Sequence, residues 1–128
     1  MNPHKSKAGL TRVWRAFFYS HRGLRDAWRH EHAFRQELAL ALALTPVIVL
    51  VPVSLPERAA LAASLLLVLI VELLNSAIEA VVDRVSLEPH ELSGRAKDMA
   101  SAAVMLSLVL AGVTWVAVLF PAARALLG

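Results

Sequence analysis

Three long apolar stretches constrain the fold of this chain more than any other feature. They cover residues 38–56, 59–82 and 99–120, and the last of them, MASAAVMLSLVLAGVTWVAVLF, contains no charged residue. At a rise of about 1.5 Å per residue, helices of this length match a hydrocarbon core of about 30 Å. A helix without a polar side is not suited to the surface of a soluble bundle. The sequence therefore predicts a single-domain, all-α membrane protein over residues 1–128, with three transmembrane helices.

The basic residues are distributed unevenly between the segments that flank these spans. Eight of the 13 Lys and Arg residues precede the first span and three lie in the 83–98 loop, whereas Arg58 and Arg124 stand alone on the other side. The positive-inside rule then places the N-terminus and the 83–98 loop in the cytoplasm, and the C-terminus outside it.

The segment before the first span, residues 1–36, is predicted to lie on the cytoplasmic membrane surface. From Leu10 to Trp28, apolar residues recur at spacings of three and four, and arginines fall largely between them. A basic amphipathic helix with tryptophans on its apolar side is typical of the membrane interface. The sequence thus predicts one surface helix in addition to the three spans.

The second span carries a polar arc in its sequence IVELLNSAIEAVVD. At about 100° per residue, the side chains of this arc fall within about 100° of one helix face. They are Glu72, Asn75, Ser76, Glu79 and Asp83. An ionised residue at the centre of a span costs about 2.5–3.5 kcal/mol on insertion scales, so an aligned set of them indicates a functional site facing protein or a water-filled cleft. Counted inward from Asp83, Glu79 lies about 6 Å deep and Glu72 about 16 Å deep.

Further charges collect at the same membrane level, in HEHAFRQE before the first span and in EPHELSGRAKDMAS before the third. Carboxylates mixed with Lys and Arg suit a complex of Mg²⁺ with a polyphosphate. The chain has no cysteine for a thiolate metal site, and its five glycines are too scattered for a glycine-rich phosphate loop. His30 and His32 do not share a helix face, which argues against a helical zinc pair.

These segments resemble the prokaryotic diacylglycerol kinase family of small integral-membrane lipid kinases. The resemblance rests on GLTR, YSHRGLRDAW, HAFRQE, VELLNSAIEAVVDR and HELSGRAKDMASAAV, which follow one another from about residue 9 to residue 117. It implies a homotrimer in the bacterial inner membrane, with a periplasmic C-terminus and no nucleic-acid partner. It also implies transfer of the γ-phosphoryl group of Mg-ATP to diacylglycerol, giving phosphatidic acid.

The resemblance further implies roles for individual residues. Glu72 corresponds to the general base, and Glu31 and Glu79 correspond to the carboxylates that hold Mg²⁺ together with ATP. Further nucleotide-site residues are Arg12, Tyr19, Glu88, His90, Lys97 and Asp98. The lipid substrate is expected to meet Arg12, Ser20, Glu37, Glu72, Asn75 and Ser101.

Three other functions remain open from the residues themselves. Undecaprenol kinases resemble the same family, although RAKDMASAAV favours the diacylglycerol type. A small ion-coupled transporter would use the glutamates as an ion path, but no ionisable residue continues the arc from Glu72 to the other end of the span. The third alternative is a membrane assembly subunit without enzymatic activity.

Overall fold

Four helices account for nearly all of the chain in the computed structural model, which describes residues 3–128, with side chains from residue 8 onward. They are α1 (Pro3–His30), α2 (His32–Leu50), α3 (Leu55–Val85) and α4 (Glu91–Leu127). By length and composition, α2, α3 and α4 could each cross a membrane. The predicted all-helical class and its three candidate spans are therefore confirmed.

The junction between α1 and α2 consists of a single residue. Glu31 has an extended backbone, with φ −111° and ψ 105°, between the last residue of α1 and the first residue of α2. One turn into α2, the Arg35 guanidinium donates to the carbonyls of Trp28 at 2.8 Å and Arg29 at 3.3 Å. Arg35 thereby caps the last carbonyls of α1 and holds its end against the start of α2.

The α2–α3 connection shows how local chemistry ends a helix inside an apolar stretch. The predicted span ran to residue 56, whereas α2 ends at Leu50. Pro52 disfavours helical backbone at Val51, which is extended. α3 then begins with a capping box, in which the hydroxyl of Ser54 accepts from the Glu57 backbone N–H and the Glu57 carboxylate accepts from the Ser54 N–H.

Arg58 closes the same connection from the first turn of α3. Its guanidinium donates to the carbonyls of Val49 at 2.8 Å, Val51 at 3.1 Å and Val53 at 3.3 Å, and also to that of Ile48. These carbonyls have no helical partner, because α2 has ended. One side chain therefore ties the end of α2 to the start of α3.

The most extensive helix contact is between α3 and α4. The buried residues of these two helices are Leu61, Ser64, Val68 and Glu72 of α3, and Ala100, Ser107, Ala111 and Val118 of α4. The indole N–H of Trp115 donates to the Ser64 hydroxyl at 3.0 Å, and this hydroxyl donates to the Leu61 carbonyl at 2.7 Å. Small residues on α4 allow the two helices to approach closely, as is common within membranes.

The connection predicted over residues 83–98 is mostly helical. α3 continues to Val85 and α4 begins at Glu91, which leaves residues 86–90 between them. The difference arises because hydropathy marks the apolar part of a helix, whereas the hydrogen-bonded backbone continues into its polar turns. The α1–α2 and α3–α4 junctions lie at one end of the bundle, called here the α1 end, and the α2–α3 connection lies at the opposite end.

Candidate active site

Glu72 is the most deeply buried carboxylate in the part of the chain that the structure describes. Its exposed fraction is 4%, and it lies on the face of α3 that packs against neighbouring helices. The carboxylates of Glu31, Glu37 and Glu79 lie near enough to Glu72 to interact with it electrostatically. These four carboxylates, which come from the α1–α2 junction, α2 and α3, thus share one neighbourhood. It is called here the carboxylate cluster.

Several polar atoms around this cluster are buried without a hydrogen-bond partner among the described residues. They are Oε2 of Glu37, Oδ1 of Asn75 and Oγ of Ser76. The Asn75 amide donates to Glu79 Oε1 at 3.5 Å, so one side of that amide is engaged and the other is free. Because buried polar atoms normally have partners, this concentration of unpaired atoms indicates a place prepared for water or a polar ligand.

A cavity of about 650 Å³ opens between α1 and α3 beside the cluster. Its polar lining includes Ser20, Asp26 and Glu31, together with Ser76 from α3. Ala77 and Ala80 present only methyl groups on the α3 side, which leaves space next to the helix backbone. The cavity is large enough for the polar head of a lipid and brings Ser20 and Glu31, both predicted site residues, to one surface.

A second cavity, of about 310 Å³, lies at the α3–α4 junction. It is lined by Asp83, Glu88, His90 and Lys97, among others. Lys97 Nζ lies 2.6 Å from Asp83 Oδ1, and Lys97 also interacts electrostatically with Glu79. His90 caps α4 by accepting the Leu92 N–H at its Nδ1. This cavity supplies a cation next to the carboxylate cluster, as binding of a polyphosphate requires.

Four of the predicted site residues are exposed and line neither of these two cavities. Arg12 lines a shallow surface depression on α1, and Tyr19 stacks on the Arg22 guanidinium, with 5.1 Å from its carbon to the ring centroid. Asp98 and Ser101 are exposed on α4. Their assignments stay predictions.

The metal assignment of Glu31 and Glu79 can be compared with the donor geometry. Within residues 8–128, no group of three or more His, Cys, Asp or Glu side chains is placed to hold a metal ion. Mg²⁺ at a nucleotide site is commonly held by one or two carboxylates together with phosphate oxygens, so it needs no larger protein cluster. The two carboxylates, both near Glu72, fit that kind of site.

Two participants in this region received no role from the sequence. Asp83 was recognised as part of the polar arc, but its ion pair with Lys97 joins positions 14 residues apart on different helices. Ser76 was recognised in the same arc, and the structure adds that its hydroxyl is buried without a partner beside the larger cavity. The helical periodicity of α3 was the one signal that pointed to either residue.

The fold and the site together define a small helical membrane protein with an acidic site set into its spans. The family described as prokaryotic diacylglycerol kinase matches residues 18–119. A diacylglycerol kinase of Pseudomonas aeruginosa is 53% identical over 118 residues, covering 92% of this chain and 96% of the relative. A diacylglycerol kinase of Escherichia coli K12 is 52% identical over 107 residues, covering 84% of this chain and 88% of the relative. That of Haemophilus influenzae is 46% identical over 112 residues, covering 88% and 95%. The chain belongs to the prokaryotic diacylglycerol kinase family.

Proposed function

We propose that this protein is an ATP-dependent diacylglycerol kinase, which transfers the γ-phosphoryl group of ATP to the free hydroxyl of diacylglycerol and produces phosphatidic acid. Family membership and relatives more than half identical support this activity. The observation on this chain that carries the proposal is the burial of Glu72 close enough to three further carboxylates to interact with them electrostatically, one of which, Glu31, lines a cavity large enough for a lipid headgroup.

Glu72 is the general base of the proposed reaction. The hydroxyl oxygen of diacylglycerol attacks the γ-phosphorus, its proton passes to the Glu72 carboxylate, and the bond from the γ-phosphorus to the bridging oxygen of ADP breaks. A carboxylate in an apolar span is shielded from bulk water, so water competes less with the substrate hydroxyl for its acceptor oxygens. Because phosphoryl transfer depends chiefly on positioning and charge neutralisation, few other reactive groups are needed.

Glu31 and Glu79 are proposed to hold Mg²⁺ together with the phosphates of ATP. An ion held by these two carboxylates would neutralise charge on the phosphate oxygens. Lys97 adds a cation from α4, and its ion pair with Asp83 fixes its side chain beside the smaller cavity. Glu88 and His90 line that cavity and are proposed to contact the nucleotide, together with Arg12, Tyr19 and Asp98.

The lipid is proposed to bind nearer the middle of α3, at residues that come from more than one helix. Ser20 lines the larger cavity, and Glu37 and Asn75 each present an unpaired buried oxygen near Glu72. Arg12 and Ser101 complete this proposed set. The hydroxyl of diacylglycerol would donate to an acceptor oxygen of this kind, whereas its ester carbonyls would accept from an N–H or O–H donor such as the Asn75 amide.

The activity is tested by following radiolabelled phosphate from ATP into lipid, separated by thin-layer chromatography, with purified protein in detergent. Diacylglycerol and undecaprenol are offered in parallel at equal mole fraction. Labelled phosphatidic acid, with little labelled undecaprenyl phosphate, is the expected result. Preferential labelling of undecaprenol would replace the substrate assignment, and labelling of neither lipid would contradict the proposed kinase activity. Family membership gives no support to the transporter or the non-enzymatic alternative.

We further propose that the α1 end faces the cytoplasm, where Mg-ATP is available, and that Gly128 lies in the periplasm. The eleven-to-two division of Lys and Arg supports this orientation. Alkaline phosphatase, which is active in the periplasm, is fused after Gly128. In a separate fusion protein, a fluorescent protein that is active in the cytoplasm is attached at the same position. Activity of the phosphatase fusion alone is expected, whereas fluorescence alone would contradict this orientation.

A homotrimer is proposed as the assembly on the basis of the family resemblance. The large exposed apolar surface of the three spans is available both to lipid and to neighbouring copies. Native mass spectrometry of the detergent-solubilised protein is expected to give three times the mass of one chain. A mass equal to one chain, in a preparation that retains kinase activity, would contradict the trimer.

A further inference from the structure

The hydroxyl of Ser76 differs from five other hydroxyl groups within the helices. Each of those five donates to the backbone carbonyl three or four residues earlier, at 2.7–2.9 Å. They belong to Ser20, Thr45, Ser64, Ser107 and Thr114. Ser76 Oγ is buried and forms no hydrogen bond with residues 8–128. The ordinary way to satisfy a hydroxyl on a helix is therefore not used at this position.

Folding alone gives no reason for a hydroxyl at position 76. Alanine would remove the cost of burying an unpaired polar group, and alanine is also the better helix former. Ser76 lines the cavity of about 650 Å³ between α1 and α3. Rotation about its Cα–Cβ bond carries the oxygen between staggered positions, so the hydroxyl can turn to an acceptor that enters this cavity. The position of Ser76 then indicates which acceptor that is.

Ser76 lies between the proposed base and a proposed metal ligand on α3. At about 1.5 Å per residue, it lies about 6 Å along the helix axis from Glu72 and about 4.5 Å from Glu79. Glu31, the other proposed metal ligand, lines the same cavity as Ser76. In the proposed reaction, the γ-phosphoryl group passes from ATP near Glu31 and Glu79 to a lipid hydroxyl at Glu72. It must therefore cross the level of Ser76.

The hydroxyl of Ser76 also has the chemistry that a phosphoryl group requires. The other two buried unpaired atoms near the carboxylate cluster are Oε2 of Glu37 and Oδ1 of Asn75. A carboxylate oxygen and an amide oxygen accept hydrogen bonds, whereas a hydroxyl can donate one. The oxygens of a phosphoryl group are acceptors, and they share its negative charge during transfer. A donor directed at developing charge lowers the barrier of the reaction.

We therefore propose that Ser76 is a further catalytic residue, whose hydroxyl donates a hydrogen bond to a non-bridging oxygen of the γ-phosphoryl group during its transfer. This proposal rests on the proposed kinase function. The lipid oxygen forms its bond to the γ-phosphorus, the bond to the bridging oxygen of ADP breaks, and the lipid proton passes to Glu72. Ser76 keeps its own proton throughout.

The test compares S76A with the wild type in the detergent assay of phosphate transfer. A hydrogen bond to a charged group contributes about 10–100-fold, so kcat should fall by about that factor, whereas KM for Mg-ATP and for diacylglycerol should stay near wild type. Resistance to unfolding should be unchanged or higher, because alanine removes an unpaired buried hydroxyl. A structural role would instead lower this resistance.

A second measurement uses ADP with aluminium fluoride, which mimics the phosphoryl group in transfer. Since transition-state mimics report interactions that form during the reaction, inhibition of S76A by this mixture should weaken by the same factor as kcat. Inhibition by ADP alone should not change, because ADP lacks the group that Ser76 contacts.

Three further variants separate the donor from the volume of the side chain. S76T retains a hydroxyl and is expected to keep most of the wild-type kcat. S76C has a similar size but is a weak donor, so its kcat should fall much as that of S76A does. S64A is the control, because the Ser64 hydroxyl is engaged by Trp115 and a backbone carbonyl, and its kcat should stay near wild type.

A normal kcat in S76A would overturn the assignment of Ser76. A raised KM for diacylglycerol at normal kcat would also overturn it, and would assign the hydroxyl to an ester carbonyl of the lipid. Equal losses of kcat and of stability in S76A and S76T would show a packing effect and contradict the proposal. If S76A did not fold, S76C would decide by the same measurements. Absence of labelled lipid with the wild-type protein would instead contradict the kinase function itself.

Discussion

The two halves of α3 treat their polar side chains in opposite ways. In the half next to the α2–α3 connection, the Ser64 hydroxyl accepts a hydrogen bond from Trp115 and donates one to a backbone carbonyl. In the same half, the Arg58 guanidinium donates to four backbone carbonyls. In the half toward the α1 end, Asn75 Oδ1 and Ser76 Oγ are buried without hydrogen-bond partners in residues 8–128, and Glu72 lies among other carboxylates.

This contrast separates polar groups that hold the fold from those that await a ligand. A satisfied buried polar group stabilises the helix pair around it, whereas an unsatisfied one costs about 1–3 kcal/mol until a partner arrives. On the proposed assignment of Glu72, a single helix carries a structural half and a reactive half. Substitutions in the first half should change stability with little change in turnover, and substitutions in the second half should do the reverse.

The largest expected effect is on turnover, from Glu72→Gln. Glutamine keeps the shape of the side chain but cannot accept the substrate proton, so kcat should fall by about 10²–10⁴-fold. Nucleotide affinity should change little, and the folded protein should be no less stable, because a neutral amide is easier to bury than a carboxylate. The measurements are kcat, ATP affinity and resistance to unfolding, all in one detergent.

The control for that variant is Glu57→Gln, which changes the carboxylate at the other end of the same helix. Glu57 belongs to the capping box with Ser54, so this variant should lose some stability and keep its kcat. Near-normal turnover of Glu72→Gln at saturating ATP would remove the distinction between the two halves of α3.

The next largest effect is expected from Glu31→Gln and Glu79→Gln, at the edge of the reactive half. Loss of one proposed Mg²⁺ ligand should weaken the productive Mg-ATP complex at least as much as loss of an outer-shell partner of a metal ligand does, about 10–100-fold. The expected signature is a raised KM for Mg-ATP and a requirement for more Mg²⁺, measured by titrating each in turn. Wild-type Mg²⁺ dependence in both variants would show that the metal is held elsewhere.

Arg58→Met tests the structural half at its end. Methionine fills a similar volume but cannot donate to the carbonyls at the end of α2, so the free energy of unfolding should fall by about 1–3 kcal/mol. Arg124→Met serves as the control, because no hydrogen bond to Arg124 joins two helices within residues 8–128. Unfolding by a denaturing detergent gives both values, and kcat of the folded fraction should stay near wild type. A large loss of kcat with unchanged stability would place Arg58 in the reactive half.

The smallest effect is expected at the Trp115–Ser64 hydrogen bond between α4 and α3. Such bonds within membranes contribute about 0.6 kcal/mol on average and at most about 1.7 kcal/mol. Ser64→Ala and Trp115→Phe should each reduce unfolding resistance by such an amount. The double variant should cost less than the sum of the two, because both remove the same bond. If the losses of stability in the two single variants simply added in the double variant, the bond would contribute nothing measurable.

The sequence predicted the features of this molecule that depend on composition or periodicity. Three spans follow from hydropathy, and the polar arc of α3 follows from its helical repeat. The Trp115–Ser64 bond could not be predicted, because it joins positions 51 residues apart and depends on how α4 packs. The end of α2 was misjudged because Val51 and Val53 are as apolar as the span itself, and the backbone effect of Pro52 decides the boundary.

The lengths of the helices have a consequence for the membrane in which the protein sits. α2 has 19 residues, or about 28 Å, and its first residues, up to Glu37, precede the predicted span, so its apolar part is shorter than a hydrocarbon layer of about 30 Å. α3 and α4, with 31 and 37 residues, are much longer and can meet a thicker bilayer by changing their tilt. α2 has no extra length with which to adapt by tilting. The Arg35 side chain ties its start to α1, and the Arg58 side chain ties its end to α3. The shortest helix therefore sets the bilayer thickness that this protein tolerates, and a thicker bilayer would strain its two fastenings first.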